Sequence, residues 1–543
     1  MELRDLACWI KDRVQQGDFV DFLAETLLAL CAVETIPSKD LYSVRLREEA
    51  CYQIIRAKIQ DYGPQGVFEK YPFSPSIRKS PAYTFPFYAG TKDAYASRYN
   101  LVYRWRSASP SRKGRPFGIN AHIDTVAPFF QPFRKGPHVF GRGACDDKGG
   151  CVAMIASIRL MREIHEQFGK TPENDLIFMF VTDEETGGNG SLSLSLDKEL
   201  KKTYEAMIVL ESCNNQIHPS NRGALWYRLS IPKGTDEPIS LALEAILELE
   251  REGRAIKAES EHPLFPKTAV QTNHGILGPY GEFPSRICGH VELEMVVHCS
   301  RGILLGLLGR GLEAYTRLYG DKSRELMAED GSPKVLQHFD FQPLGKEEDN
   351  TYLLKVWGRT GHMGSIAEND NALTKTAFLI GAVKEKYPRM RLSFPGGIPQ
   401  PLILEGGQGF VPTHSIEQIR ERLIAAVRRA YQRFGLNRGD AEPEMSFDKL
   451  HNDSYDGIKE GPLLRAAVKS AQMVGVEVAL PVKGWTVSCD ARLFAKEYPG
   501  MEVLTLGPGK IQDAHSDDEH IDLIDLAKGS ASLALLFHLQ GEF

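Results

Sequence analysis

Five acids and imidazoles, His122, Asp146, Glu185, Glu211 and His515, stand where this sequence leaves short apolar runs or enters glycine-rich turns. His122 and Asp124 end the run GINAHIDTV, and strand alternation puts both on one face, where a carboxylate can orient an imidazole. Asp146 lies in GRGACDDKGG, just before an apolar helical stretch. Neither nucleotide-binding spacing, GxGxxG or GxxxxGK[ST], is present, so the glycines serve instead to allow a tight turn that holds Asp146 near other strand ends. Glu184 and Glu185 follow LIFMFV within TDEETGG, and Glu211 closes AMIVLES. Acids at the exit of a buried strand are expensive unless they are paired, solvated or bound to a cation. His515, in DAHSDDE after GPG, is by itself no better a ligand than His520. Taken singly, each residue has a bland reading: a surface histidine, a plain Asp turn or a solvated acidic loop. Together they end consecutive strands of a wound sheet, where ligands of such sheets gather. Imidazole mixed with carboxylate suits zinc, and the surplus of carboxylates suits two ions sharing one bridge.

The elements that must position these residues are legible as a rhythm. FVDFLAETLLALCAVETI, from residue 19, has helical periodicity and is closed by PSKD. Segments 100–105, 118–126, 176–182 and 207–211 are short and rich in β-formers, with helical stretches such as CVAMIASIRLMREIH between them. That order predicts an α/β fold with a wound, mostly parallel sheet. A block from about residue 216 to 446 runs strand, helix, strand, helix twice: GALWYRLSI to GILLGLLGRGLEAYTRLYG, then TYLLKVWG to SIEQIRERLIAAVRRAYQRF. The matching order suggests two α/β lobes. The first style returns after it with LLRAAVKSAQMVG, MEVLTLGPG and LIDLAKGSASLALLFHL. The expected organisation is a discontinuous domain of residues 1–215 and 448–543 interrupted by an inserted domain, 216–447.

Composition narrows the function classes. Across 543 residues, 65 Lys+Arg stand against 71 Asp+Glu, with no like-charge run long enough for a nucleic-acid arm or an acidic tail. Nine cysteines lack CxxC spacing, and their odd number fits a reducing compartment. The opening MELRDLACWIKDRVQQGDF has no continuous apolar core and is read as neither signal peptide nor membrane span. The expectation is a soluble cytoplasmic protein without nucleic-acid or membrane partners.

The five residues and their order resemble the dinuclear-zinc metallopeptidases and aminoacylases that include carboxypeptidase G, succinyl-diaminopimelate desuccinylase and carnosinase. The resemblance implies a sheet of the phosphorylase/hydrolase-like zinc-peptidase type with an inserted, enlarged α+β lid. It also implies two Zn2+ ions, with Co2+ or Mn2+ as substitutes, one held by His122, Asp146 and Glu211 and the other by Asp146, Glu185 and His515. Asp124 would orient His122, and Glu184 would be the general base on a water whose pKa two zinc ions lower from about 15.7 toward ~7. GRTGHMGS, residues 358–365, resembles the lid motif whose histidine reaches the substrate carbonyl, which makes His362 an oxyanion stabiliser. Within the family, the enlarged middle block and GGQGFVP look most like the bacterial arginine-utilisation branch.

Two departures bear on the substrate. Ser212-Cys213-Asn214 replaces a common Pro-Thr turn, and GGQGFVPTHS lacks the arginine that grips a substrate carboxylate in many members, leaving Arg301, Arg359 and Arg492 as stand-ins. The implied activity is cleavage of an amide bond in a small N-acyl amino acid or short peptide, by a monomer or homodimer, in arginine-related catabolism. The rival is a non-catalytic binding or regulatory protein on the same fold, which should have lost a ligand or the base; no such loss is evident at these positions.

Overall fold

The computed structural model describes residues 2–62, 66–91, 93–109, 115–232, 234–328, 331–345, 350–364, 370–436 and 443–539. The chain divides into two units, the first Met1–Gly223 with His262–Phe265 and Lys449–Phe543, the second Ala224–Glu261 with Pro266–Asp448.

Unit 1 is built on a seven-stranded sheet. Its strands are β1 (Gly66–Pro72), β2 (Tyr99–Trp105), β3 (Phe117–His122), β4 (Leu176–Val181), β5 (Ala206–Leu210), β6 (Ile217–His218) and β7 (Glu502–Leu506), in the order β1-β2-β4-β3-β5-β7-β6. The inner strands β4, β3, β5 and β7 run parallel, while β2 and β6 add antiparallel at the two sides and β1 pairs antiparallel with β2 at the edge. The first unit extends past residue 215 because β6 adds to the sheet edge beside β7.

Every residue of the four parallel strands is buried. Ile119, Phe178, Ile208 and Leu504 enter one core, with Leu27 of helix α2 (Gly17–Cys31, preceded by α1, Leu3–Arg13), Ile55 of α3 (Leu41–Gln60), Ile155 of α4 (Lys148–Phe168) and Leu533 of α5 (Leu523–Phe537). Met179, Met207, Val209 and Val503 enter the opposite core with Tyr204 and Phe494. A sheet covered on both faces makes its strands unbroken apolar runs, as LIFMFV and AMIVL are. Helix α4 starts at Lys148, where the side chain of Asp147 accepts from Gly150 N at 3.1 Å, and stops at Gly169, whose φ is 64°.

Among the described residues, unit 2 holds two sheets. One orders Thr272–Leu277, Leu402–Phe410, Gly223–Ile231 and Glu444–Ser446; the other orders Phe339–Pro343, Thr351–Trp357, His290–Val296 and Arg391–Ser393. Each sheet takes strands from both passes of the strand–helix pattern, so the passes interleave. Strands 290–296 and 351–357 alternate strictly between buried and partly exposed residues, as half-covered strands do. Among the described residues, no helix is long and apolar enough to cross a membrane.

Candidate metal centre

The parallel direction of β3, β4, β5 and β7 brings their C-terminal ends to one edge of the sheet. His122 is the last residue of β3, Thr182–Glu185 follow β4, Glu211 follows β5, and the segment after β7 leads to His515. Gly507 permits a close approach: its φ is 151°, and a Cβ there would lie 2.4 Å from the backbone oxygen of Glu211. His515 itself has a left-handed φ of 58°, a costly conformation for a residue with a Cβ and one that clusters at functional sites.

Asp146 sits between two imidazoles, Oδ1 at 3.1 Å from His122 Nε2 and Oδ2 at 3.3 Å from His515 Nε2. The same His515 nitrogen is 3.0 Å from Glu185 Oε1. His122, Asp146 and Glu211 offer ligand atoms within 4.8 Å of one another, as do Asp146, Glu185 and His515, and all five are buried. Asp124 contacts His122 chiefly through its backbone: His122 Nδ1 is 3.0 Å from its carbonyl oxygen and 3.6 Å from its carboxylate. The Asp124 carboxylate accepts instead from the backbone N–H groups of Glu184 and Glu185, at 3.1 and 3.0 Å.

The electrostatics are those of a negative cluster short of positive charge. Burial, then Asp490 and the neighbouring acids, push Glu184 well above the usual carboxylate range. Burial with Glu184 and Asp146 does the same to Glu211, and burial raises Glu185 despite His515. For His515 burial disfavours the cation, but Glu185 and Asp146 outweigh it and lift the ring to about 10. For Asp146 burial opposes ionisation, yet hydrogen bonds from His122 and His515 hold it well below the usual range. Protons on these groups stand where cations would neutralise the charge. Buried carboxylates and imidazoles in two triads sharing Asp146 fit two divalent cations.

Several supporting residues carried no recognisable signal in the sequence. Glu519 is fully buried; its Oε1 accepts from the backbone N–H groups of Gly143, Cys145 and Asp146 at 3.0, 3.1 and 3.1 Å. Its Oε2 accepts from Arg142 Nη1 at 2.7 Å, and Arg142 Nη2 donates to the Ser516 carbonyl at 2.9 Å. One acid therefore ties the loop of Asp146 to the loop of His515. Ser212, in the departing SCN segment, donates to the Cys145 carbonyl at 3.0 Å and ties the end of β5 to that same loop. The spacing Arg142-x3-Asp146 and His515-x3-Glu519 was visible, but a salt bridge across 377 positions was not.

His362 belongs to unit 2 and is buried; its Nδ1 accepts from Gly364 N at 2.9 Å, so the donor nitrogen is Nε2. Ser365, the last residue of its motif, lies outside the described residues. The helix after the motif is capped by Asn371, which accepts from Leu373 N and Thr374 N. Of the three stand-in arginines, Arg301 opens the helix Arg301–Tyr319 over the ring of Phe341, and Arg359 N donates to the Asp370 carbonyl at 2.9 Å. Arg492 is in unit 1, buried, and donates to the Gly187 carbonyl at 3.1 Å, just beyond Glu185.

Comparison with known proteins agrees with this architecture. A peptidase M20 domain-containing protein of Schizosaccharomyces pombe is 33% identical over 114 residues, 21% of this chain and 27% of that protein. The probable carboxypeptidase S-like 2 of Dictyostelium discoideum is 34% identical over 102 residues, 17% of this chain and 18% of its own length. The chain thus spans less than a third of the length of either relative. Human carnosine dipeptidase 1 shares the fold over 100% of both chains, with a TM-score of 0.56 at 12% identity. The dipeptidase Dug1p of Saccharomyces cerevisiae shares it over 99% of both, with 0.57 at 13%. Residues 118–538 match the model of peptidase family M20/M25/M40, and the chain belongs to that family.

Proposed function

We propose that the chain is a metal-dependent hydrolase that cleaves the amide bond of a small N-acyl amino acid or a short peptide. The observation that carries this reading is the pair of buried triads sharing Asp146, with the buried Glu184 next to Glu185 in sequence. Membership of a peptidase family and the carboxypeptidase name of a relative support the substrate class. The resemblance through GGQGFVP supports a place in arginine-related catabolism, and nine free cysteines support a cytoplasmic location.

In this reading His122, Asp146 and Glu211 hold one zinc ion, and Asp146, Glu185 and His515 the other. The ions supply Lewis acidity, which polarises the amide carbonyl and acidifies water. Glu184 accepts the proton of the attacking water and returns it to the leaving nitrogen. By the same resemblance, His362 would donate from Nε2 to the carbonyl oxygen as negative charge develops.

The test is turnover of a panel of N-acyl amino acids and dipeptides by the zinc-loaded protein, repeated with Glu184→Gln. The variant should keep both ions and lose rate by ~10²–10⁴-fold, because Gln can neither accept nor return the proton. His362→Ala should also keep both ions while losing ~10²–10³ in kcat. Normal turnover by Glu184→Gln would move the chemistry elsewhere, and a wild-type protein that takes up no transition metal would end the reading.

A further inference from the structure

The acidic turn after β4 is held by a part of the chain that precedes the family-matched residues. Asp183, one residue before Glu184, has a left-handed φ of 73° and is buried. Its Oδ1 accepts from Tyr88 OH at 2.8 Å and its Oδ2 from Tyr95 OH at 2.5 Å. Each hydroxyl has a donor of its own: Arg98 Nη1 donates to Tyr88 OH at 2.6 Å, and Asn189 Nδ2 to Tyr95 OH at 2.5 Å. Donor and acceptor roles therefore run in one direction toward Asp183, which uses both oxygens as acceptors.

The turn is anchored on both sides of the two glutamates. Before them, Thr182 Oγ1 donates to Glu48 Oε1 at 2.6 Å, and Glu48 is forked by Arg98 through Nε at 3.1 and 3.0 Å and Nη2 at 2.6 Å. After them, Asn189 accepts from Thr84 N at 3.1 Å and donates to the Thr84 carbonyl at 2.6 Å. Gly187 packs so closely on Thr84 that a Cβ would lie 2.3 Å from its hydroxyl. Between these anchors the N–H groups of Glu184 and Glu185 rest on Asp124. Arg98 and Glu48 are both buried, and a buried ion pair is a poor source of stability compared with apolar packing of the same volume. Such a pair is better spent on fixing one conformation, and the conformation it reaches is that of the turn.

We infer that Asp183 is a positioning residue for Glu184 and Glu185, and that Glu48, Thr84, Tyr88, Tyr95 and Arg98 form the clamp that holds it. The inference rests on the roles proposed above for Glu184 and Glu185. The N-terminal segment is then part of the catalytic apparatus, and its contribution is read in two quantities: binding of the ion that Glu185 helps to hold, and kcat through Glu184.

Asp183→Asn keeps size and tolerance of the left-handed region but turns one acceptor into a donor facing a tyrosine hydroxyl. Arg98→Lys keeps charge and loses the fork. Both should lower kcat by about 10–100-fold with KM within about twofold, since a small misplacement of reacting groups costs rate before it costs binding. Zinc titration should show the second ion weakened about 10–100-fold and the first unchanged. If Asp183→Asn fails to fold, Tyr88→Phe and Tyr95→Phe, singly and together, carry the test, with the double variant showing the larger loss. Folded variants with wild-type kcat and wild-type affinity for both ions would overturn the clamp. Glu184→Gln measured alongside separates the two ideas: if it is inactive while the clamp variants are normal, only the clamp fails.

Discussion

Two buried polar networks of similar composition sit in the two units, and they are arranged in opposite ways. In unit 2, Asp370 accepts from Lys375 Nζ and Tyr315 OH, both at 2.9 Å. Glu250 accepts from Thr374 at 3.2 Å and from Tyr319 OH, and lies 3.2 Å from His274 Nε2, whose ring meets Tyr227 OH at 2.5 Å. Each acid there faces a cation, an imidazole or a hydroxyl donor. In unit 1, by contrast, Asp146, Glu184, Glu185 and Glu211 converge on one another, with two imidazoles among them. A buried network whose charges close internally is scaffolding; one that is left negative invites cations from outside. The comparison separates residues of the same type by the company they keep.

The largest effect that would break the contrast is the loss of rate expected for Glu184→Gln, since no residue of the unit 2 network should matter as much to chemistry. Next comes Glu519→Gln. It keeps the shape of the acid that joins the Asp146 and His515 loops but weakens its grip on three backbone donors and Arg142. Calorimetric zinc titration should show affinity lower by ~10–100-fold with the fold intact by circular dichroism. Unchanged affinity would mean that the two loops hold their shape without that acid. Smallest for function should be Glu250→Gln: thermal unfolding of unit 2 should shift by the equivalent of about 1–3 kcal/mol, while zinc stoichiometry stays the same. Loss of an ion in Glu250→Gln would erase the distinction between the two networks.

How much of this was legible depends on the range over which each feature is determined. The parallel strands were visible because burial on both faces makes them continuous apolar runs, and the acid ending each run is a local signal at Glu185 and Glu211. Helix α4 was visible from Val152, Ile155, Ile158 and Met161, but its start lay three residues earlier, where Asp147 caps it. In the inserted block, the repeated order of strands and helices was visible and not which strands pair, so the interleaving of the two passes had no local trace. The shapes of the loops were equally hidden. The left-handed backbone of Asp183 and His515, the backbone hold of Asp124 on His122 and the reach of Glu519 to residue 143 are all set by distant partners.

The central claim is that Glu185 belongs to a cation-holding triad while its neighbour Glu184 does not. It is tested most directly by titrating zinc into apo wild type, Glu184→Gln and Glu185→Gln side by side and counting ions bound per chain. The account predicts about two ions for wild type and for Glu184→Gln, and one tight ion with the second weakened or lost for Glu185→Gln, which deletes a charged ligand. Loss of an ion from Glu184→Gln with full binding by Glu185→Gln would contradict it.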